Sequence, residues 1–282
     1  YPAGVFNLVT GCGPEVGNAL ALHPDVRMLS FTGSTAAGRE VARLALSNIK
    51  RIALELGGKS AAILLPGGDW EFGVKAVLDT VVLNAGQTCN ALTRLLVPAA
   101  EQEKANEIIL NTLKQYKKGS NADPESDIGP LSSRRQFDRV KKYIQIGIDE
   151  GATLLCGGLP GQDAEYRIDP TVFVNVKPGM RIEKEEIFGP VLVVVPYETV
   201  DDAVRIANDS EYGLAGAVFG PEAEANAVAR RMRTGSIYVN YGQWDVKAPF
   251  GGYKQSGIGR EGAVEGYEEF LEVKTIYDRE GE

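Results

Sequence analysis

The sequence Arg51-Ile52-Ala53-Leu54-Glu55-Leu56-Gly57-Gly58-Lys59-Ser60 contains a strand and the turn that ends it. The apolar alternation from Arg51 to Leu56 indicates a strand, and Gly57-Gly58 marks the most probable domain boundary of the chain. Strands and helices alternate on both sides of this segment. That order predicts an α/β fold with parallel sheets, of the kind that binds nucleotides.

Upstream, two glycine turns follow predicted strands at Val5–Val9 and 26–31. The first turn, with Gly13 and Gly17, differs from the dinucleotide fingerprint GxGxxG and is weak evidence, because a tight turn explains it equally well. The second holds Gly33 and Ser34, where a helix cap with free backbone amides suits a phosphate. An ordinary cap is the alternative.

Downstream, Asn84-Ala85-Gly86-Gln87-Thr88-Cys89 interrupts a helical pattern and places a thiol on a turn. A thiol and the carboxylate of Glu55 suffice for covalent catalysis without a histidine. This role requires Cys89 to be partly exposed, with a lowered pKa. It also requires Glu55 to lie in a partly apolar pocket that raises its pKa. The alternatives are a packed thiol and an ordinary strand-end carboxylate.

Composition excludes several classes of function. A net charge of -8 argues against a general nucleic-acid binder, and no apolar run approaches the roughly 20 residues of a membrane-spanning helix. His23 is the single histidine and lies at a helix end, so neither a Ser-His-Asp triad nor a metal site is expected. Three widely spaced cysteines suit a reduced, cytoplasmic protein. The P-loop motif GxxxxGK[ST] needs glycine five residues before Gly58, where this sequence has Ala53, so Gly58-Lys59-Ser60 is not part of a P-loop.

The second half of the chain repeats the α/β alternation and ends in a predicted strand, Val273–Tyr277. A terminal strand without a following partner often pairs with another subunit, so a homo-oligomer is expected. The predicted division is 1–57, 58–256 as a catalytic thiol domain, and 257–282 as a return helix and oligomerisation strand.

Five motifs in order resemble those of the aldehyde dehydrogenase superfamily, in particular the broad bacterial NAD(P)-dependent enzymes. The resemblance covers nearly the whole chain. The motifs are Phe31-Thr32-Gly33-Ser34-Thr35, Glu55-Leu56-Gly57-Gly58-Lys59-Ser60, Gly86-Gln87-Thr88-Cys89, Glu186-Ile187-Phe188-Gly189-Pro190 and Pro249-Phe250-Gly251-Gly252-Tyr253-Lys254-Gln255-Ser256-Gly257.

The resemblance implies specific roles. Cys89 would attack an aldehyde to give a thiohemiacetal, hydride would pass to nicotinamide, and Glu55 would activate water to hydrolyse the thioester. Glu186 would hold the nicotinamide ribose, Phe188 would pack beside it, and Glu261 would be a proton relay or structural partner behind Glu55.

The resemblance also implies an NAD or NADP site. Gly33, Ser34 and Leu56 would lie along the cofactor, with Gly13 and Gly17 at its adenosine end. In the family an upstream portion carries the first strands of the nucleotide domain, an oxyanion-binding Asn and a ribose-binding Lys. Residues 1–57 would thus be the C-terminal half of the dinucleotide-binding domain, and the fold a partial doubly wound sheet followed by a second α/β domain.

The chain therefore resembles the C-terminal part of a subunit, and we expect it to be inactive or weakly active alone. Glu55 favours hydrolysis over acyl transfer to coenzyme A. Two other readings stay open: a non-catalytic binding or structural relative, and a cofactor-independent thiol esterase using Cys89 and Glu55. The residues around Gln243 and Trp244 do not reveal which aldehyde is oxidised.

Overall fold

A computed structural model describes residues 1–161, 164–242 and 244–279. Its helices are α1 (Asn18–Leu22), α2 (Thr35–Ala45), α3 (Trp70–Val82), α4 (Gln102–Leu113), α5 (Arg134–Asp149), α6 (Arg181–Lys184), α7 (Val200–Asn208), α8 (Glu222–Ala229) and α9 (Ala263–Glu268). Its strands are β1 (Met28–Thr32), β2 (Arg51–Glu55), β3 (Ala61–Leu64), β4 (Arg94–Pro98), β5 (Thr153–Cys156), β6 (Thr171–Val174), β7 (Val191–Tyr197), β8 (Tyr212–Gly213), β9 (Ala215–Phe219), β10 (Ser236–Val239), β11 (Tyr253–Lys254) and β12 (Gly257–Ile258).

The strands form three sheets. The largest has the order β10-β9-β3-β4-β7-β6-β5 and is parallel except for its β5–β6 edge. A three-stranded sheet pairs β1 and β2 in parallel and β12 with β2 antiparallel. The third pairs β8 with β11. The parallel α/β architecture expected from the sequence is confirmed.

The large sheet is buried on both faces because helices cover each side. Alternate residues of β3 point to opposite faces, as the two-residue period of a strand requires. Ile63 joins a core with α5, α7 and α8, whereas Ala62 and Leu64 join a core with α3 and α4. A strand buried on both faces is apolar throughout, as Ala61–Leu64 is.

The chain returns to the small sheet near its end. After the large sheet is complete, β12 pairs with β2 and sets Gly257 opposite Glu55 and Ile258 opposite Leu54. The preceding residue, Ser256, accepts the amide of Leu56 on its carbonyl at 2.9 Å. The bonds from Ser256 and β12 therefore fix the C-terminal end of β2.

Several predicted elements differ from the structure. Val5–Val9 and Val273–Tyr277 form no strands, because no described strand lies beside either segment to complete its hydrogen bonds. Helix α4 ends at Leu113, and four residues later the Lys117 amide donates to Asp127 Oδ2 at 2.7 Å. Within the described residues, no helix is both long and apolar enough to cross a membrane.

Candidate active site

Glu55 ends β2 as a buried carboxylate. It is 5% exposed, and neither side-chain oxygen has a hydrogen-bond partner among the described residues. Burial raises its pKa to about 7, with a further rise from the charge of Glu261 and an opposing effect from Arg260. A carboxyl that titrates near neutral pH can accept a proton from water, as a general base must.

The thiol follows a left-handed turn. Asn84, Ala85 and Gly86 have φ values of 51°, 54° and 72°, a conformation that costs ordinary residues of order 1–2 kcal/mol. Gln87 holds the turn closed, since its side-chain Nε2 donates to the carbonyl of Asn84 at 2.9 Å. Gly86 lies directly against the carbonyl of Gly189, where a Cβ would overlap.

Cys89 is partly buried, and burial raises the pKa of its thiol. The charge of Glu186 raises it further, while the backbone amides of Cys89 and Asn90 oppose both effects. The partial exposure agrees with expectation. The expected lowering of the pKa is wrong for this chain, because the two amides do not outweigh burial and the nearby carboxylate.

Gly57 and Gly58 bring the thiol turn and a second carboxylate together. The Gly58 amide donates to Glu186 Oε1 at 3.2 Å, and a Cβ on Gly57 would overlap the same carboxylate. On Gly58 a Cβ would stand 2.5 Å from the carbonyl oxygen of Cys89. Both glycines are therefore needed for close approach, and Cys89 and Glu186 both contact this short segment.

Helix α5 fixes the segment that carries Glu186 and Phe188. Gln136 Nε2 donates to the carbonyls of Phe188 at 2.6 Å and Ile187 at 3.2 Å. Arg139 Nη2 donates to the carbonyl of Glu186 at 2.6 Å. Phe188 has a φ of 61°, so these bonds hold a residue in a conformation that it would otherwise avoid.

Two buried cations, Lys59 and Arg94, received no role in the sequence analysis. Arg94 is 2% exposed and donates to the Lys59 carbonyl at 2.9 Å and to Glu183 Oε1 at 3.0 Å. Lys59 is also 2% exposed, and its Nζ has no hydrogen-bond partner in the described part of the chain. For Arg94 the available signal was a charged residue at the start of an otherwise apolar strand.

The expected cofactor residues fall into two groups. In the first group, Ser34 caps α2 by accepting the Ala37 amide on its side chain at 3.3 Å. The Gly33 amide donates to the Glu55 carbonyl at 3.0 Å. Leu56 is buried and packs on α2. These three residues therefore adjoin the end of β2. Gly13 and Gly17 lie instead on the turn before α1, and a Cβ on either would meet nothing within 4 Å.

Glu261 pairs with the loop that contacts Glu55. It is exposed, and it exchanges backbone hydrogen bonds with Phe250 at 2.7 and 2.8 Å. A Cβ on the adjoining Gly251 would stand 2.7 Å from Glu55 Oε1. This strand-like contact fixes the loop next to the Glu55 carboxylate. Gln243, considered for the substrate pocket, lies outside the described residues.

The comparisons with known proteins agree in one result. The model of the aldehyde dehydrogenase family matches residues 1–276. A 3-succinoylsemialdehyde-pyridine dehydrogenase from Pseudomonas sp is 48% identical over 99% of this chain, and a putative aldehyde dehydrogenase from Staphylococcus saprophyticus is 46% identical over 98%. The chain spans about 60% of the length of these curated relatives.

Solved structures give the same result. A mutant of aldehyde dehydrogenase C from Pseudomonas syringae, complexed with NAD+ and octanal, is 46% identical with a TM-score of 0.95 and matches 98% of this chain. A double mutant of betaine aldehyde dehydrogenase from Staphylococcus aureus, in complex with NAD+, is 39% identical with a TM-score of 0.93 over 97%. This chain covers 58% and 57% of those two structures.

Proposed function

The chain belongs to the aldehyde dehydrogenase family, and we propose that it supplies the thiol and the base for oxidation of an aldehyde to a carboxylic acid with NAD or NADP. The observation that carries this proposal is the arrangement of two groups around one strand end. Glu55 is buried there without a hydrogen-bond partner among the described residues, and three residues later Gly58 lies against the carbonyl of Cys89.

The residues around this strand end fit a dinucleotide. The N-terminus of α2, capped by Ser34, presents free backbone amides and a partial positive charge suited to a pyrophosphate. The carboxylate of Glu186, which accepts only the Gly58 amide among the described residues, can also accept ribose hydroxyls. When bound, the nicotinamide ring supplies a hydride acceptor. The structures of relatives with NAD+ support this choice of cofactor.

Cys89 performs the first step. Its thiol proton passes to solvent water, the sulfur then bonds to the carbonyl carbon of the aldehyde, and the carbonyl oxygen takes the electron pair of the broken π bond as the alkoxide of a thiohemiacetal. The backbone amides near the sulfur stabilise negative charge at this position. Loss of hydride from the former carbonyl carbon then leaves an acyl thioester on Cys89.

Glu55 performs the second step. Its carboxylate removes a proton from a water molecule, and the resulting hydroxide bonds to the thioester carbon. The carbon–sulfur bond breaks, the sulfur leaves as thiolate, and a carboxylic acid is released. Because burial raises the pKa of Glu55 to about 7, its carboxylate accepts a proton more readily near neutral pH than an ordinary glutamate does.

The test is formation of reduced cofactor by the purified chain with octanal and a short-chain aldehyde, each with NAD and NADP. We expect Cys89→Ser to abolish turnover. Cys156→Ser is the matched control, because Cys156 is a partly buried thiol at the sheet edge. Turnover that survives Cys89→Ser would contradict the mechanism. The expectation that this chain alone is weakly active is tested in the same assay.

A second readout keeps the thiol testable if turnover is absent. Octanal should slow alkylation of Cys89 by iodoacetamide, because the sulfur is engaged as a thiohemiacetal. Alkylation that is equally fast with and without octanal would rule out attack by Cys89. Hydrolysis of an ester without cofactor, lost in Cys89→Ser, would instead favour the thiol esterase.

A further inference from the structure

The hydroxyl of Ser256 is a fully buried polar group that neither step of the proposed reaction uses. Ser256 is 0% exposed and belongs to the sequence motif Pro249–Gly257. Its Oγ donates to the Gly57 carbonyl at 2.7 Å and accepts the Gly213 amide at 2.9 Å. Because an amide only donates and a carbonyl only accepts, these two partners fix the direction in which the single hydroxyl proton points.

The loop that carries Ser256 is anchored independently of this hydroxyl. Lys254 Nζ donates to the carbonyls of Asn208 at 2.8 Å and Ser210 at 3.0 Å. The Leu56 amide donates to the backbone carbonyl of Ser256 at 2.9 Å. These bonds do not involve the Ser256 side chain, so the substitution Ser256→Ala removes the effect of the hydroxyl alone.

The peptide between Gly57 and Gly58 connects Ser256 to Glu186. The carbonyl of this peptide accepts the Ser256 hydroxyl, and its amide, on Gly58, donates to Glu186 Oε1 at 3.2 Å. In a trans peptide these two groups point in opposite directions within one rigid plane. A rotation of the plane that breaks one bond therefore misaligns the other. The hydroxyl and the carboxylate thus hold the same peptide from its two sides.

The orientation of this peptide depends on its hydrogen bonds, because neither residue can be held by a side chain of its own. A Cβ on Gly57 would stand 2.3 Å from Glu186 Oε2, and a Cβ on Gly58 would stand 2.5 Å from the carbonyl oxygen of Cys89. Glycine has the greatest backbone freedom of all residues. A bond from the anchored Ser256 therefore restricts a peptide that the two glycines leave free to turn.

We propose that Ser256 is a positioning residue: its hydroxyl orients the peptide between Gly57 and Gly58, whose amide in turn holds the Glu186 carboxylate ready to accept the ribose hydroxyls of the cofactor. Only the final clause, on the ribose, rests on the proposed function. The hydrogen bonds that link Ser256 to Glu186 belong to the chain itself and are present without cofactor.

The protonation of Glu186 responds to the same arrangement. Burial raises the pKa of Glu186, and the bond from the Gly58 amide is the largest effect that opposes this rise. The Gly213 amide, the Ser256 hydroxyl, the peptide and the carboxylate form one chain of hydrogen bonds, in which each bond polarises the next. Loss of the hydroxyl should weaken the bond from Gly58 and raise the pKa of Glu186 further.

The first experiment follows the Glu186 carboxyl by 13C NMR across a pH titration, with Glu186→Gln to assign its resonance. The matched control for Ser256→Ala is Thr171→Val on β6. Thr171 is also 0% exposed, and its hydroxyl likewise accepts a glycine amide, that of Gly158 at 3.0 Å, and donates to a carbonyl.

Both substitutions should lower the thermal midpoint, because each leaves a buried amide and a buried carbonyl without a partner. We expect only Ser256→Ala to raise the pKa of Glu186. A Glu186 titration that is unchanged in Ser256→Ala, or shifted equally in Thr171→Val, would mean that the hydroxyl contributes to stability alone, and would overturn the proposal.

The second experiment needs no substitution at Ser256. In the unmodified chain, the 1H and 15N shifts of the Gly58 and Gly213 amides should both change at the titration midpoint of the Glu186 carboxyl. This response should be absent in Glu186→Gln, and the Gly158 amide should not show it. A Gly213 amide that ignores the ionisation of Glu186 would refute the connection, even if Ser256→Ala fails to fold.

Cofactor binding is measured separately, as the dissociation constant of NAD. We expect Ser256→Ala to weaken binding roughly 5-fold, within the usual range of coupling between sites, and Thr171→Val to leave it unchanged. In the Glu186→Gln background Ser256→Ala should cause no further loss, because the hydroxyl acts through that carboxylate. Additive losses would overturn the positioning role. A raised pKa of Glu186 in Ser256→Ala, with no NAD binding by the unmodified chain, would support the connection and count against the proposed function.

Discussion

At the scale of single residues, the site depends on carboxylates that are kept from water. Glu55 is 5% exposed and Glu186 is only partly exposed, and burial raises the pKa of both. Such groups oppose folding when they ionise, because the unfolded chain hydrates the charge fully. Burial of the Glu55 carboxylate therefore has a cost in stability that can be measured.

We predict that Glu55→Gln stabilises the chain at high pH. The pKa of Glu55 rises from 4.5 to about 7 on folding, so its contribution to stability is full below pH 4.5 and is lost as pH rises toward 7. Removing the charge should restore on the order of 2–3 kcal/mol above pH 7. Thermal unfolding at pH 8.5 should show a higher midpoint for Glu55→Gln, with little difference at pH 4.

The control is Glu103→Gln, which changes an exposed carboxylate on α4. It should leave the midpoint unchanged at both pH values, because solvent screens an exposed charge. A Glu55→Gln variant less stable than the unmodified chain at pH 8.5 would show that the carboxylate has a stabilising partner.

The sequence singled out reactive side chains at turns and strand ends, such as Cys89 on a glycine turn and Glu55 at a strand end. Their catalytic roles stay predictions. Lys59 was quoted as part of a motif and given no role, because burial is a property of the whole fold. The raised pKa of Cys89 could not be foreseen for the same reason, since it depends on Glu186, almost a hundred positions away in the chain.

At the scale of elements, the left-handed turn before Cys89 brings two parts of the chain into close contact. We predict that Gly86→Ala destabilises the chain and slows alkylation of Cys89, because the new Cβ would overlap the carbonyl of Gly189. Backbone strain and the forced shift together should cost roughly 2–4 kcal/mol. Thermal unfolding and iodoacetamide kinetics measure the two effects.

Gly151→Ala is the matched control for that variant. Gly151 has a φ of 83°, yet a Cβ there would meet nothing within 4 Å. Its substitution should therefore cost only the strain of the left-handed conformation, about 1–2 kcal/mol. Equal losses in the two variants would mean that contact with Gly189 contributes nothing.

Helix α5 should control the order of the segment that carries Phe188. We predict that Gln136→Ala speeds hydrogen exchange of the Gly189 amide and weakens NAD binding, because two carbonyls lose their donor. Gln145→Ala, on the same helix, removes only an exposed bond to Asp149 and should change neither. Unaltered exchange in Gln136→Ala would mean that Arg139 alone holds the segment.

Strands and helices could be predicted where the pattern of apolar residues and caps lies within the segment itself. The strands at β3, β4 and β7 are apolar runs, and α2 and α5 follow the serine caps at Ser34 and Ser133. Two predicted strands, Val5–Val9 and Val273–Tyr277, are absent because a strand exists only beside a partner. Apolar alternation shows that a segment can form a strand, and pairing decides whether it does.

At the scale of the whole molecule, large apolar side chains remain exposed at both ends of the chain. Val273, Ile276 and Tyr277 are 95%, 79% and 93% exposed, and Phe6 and Leu8 are each 79% exposed. Contiguous exposed apolar surface of this kind marks an interaction site or an aggregation hazard. A homo-oligomer through the C-terminal segment stays our prediction.

We predict that the purified chain self-associates and that Val273→Asp with Ile276→Asp shifts it toward monomer, because burying two carboxylates is unfavourable. Ile49→Asp is the control, since Ile49 is 90% exposed on a separate turn. Sedimentation velocity measures the distribution. Association that resists the double substitution but is lost in Ile49→Asp would place the interface elsewhere.

The pairing of β12 with β2 has a consequence for synthesis of the protein. Gly257 is opposite Glu55, so the base acquires its final surroundings only through a contact that spans most of the chain. Closing so long a loop is slow and entropically costly, which puts it late in folding. A nascent chain on the ribosome would thus contain Cys89 before Glu55 has its final neighbours, and the proposed hydrolysis would become possible only after residue 258 emerges.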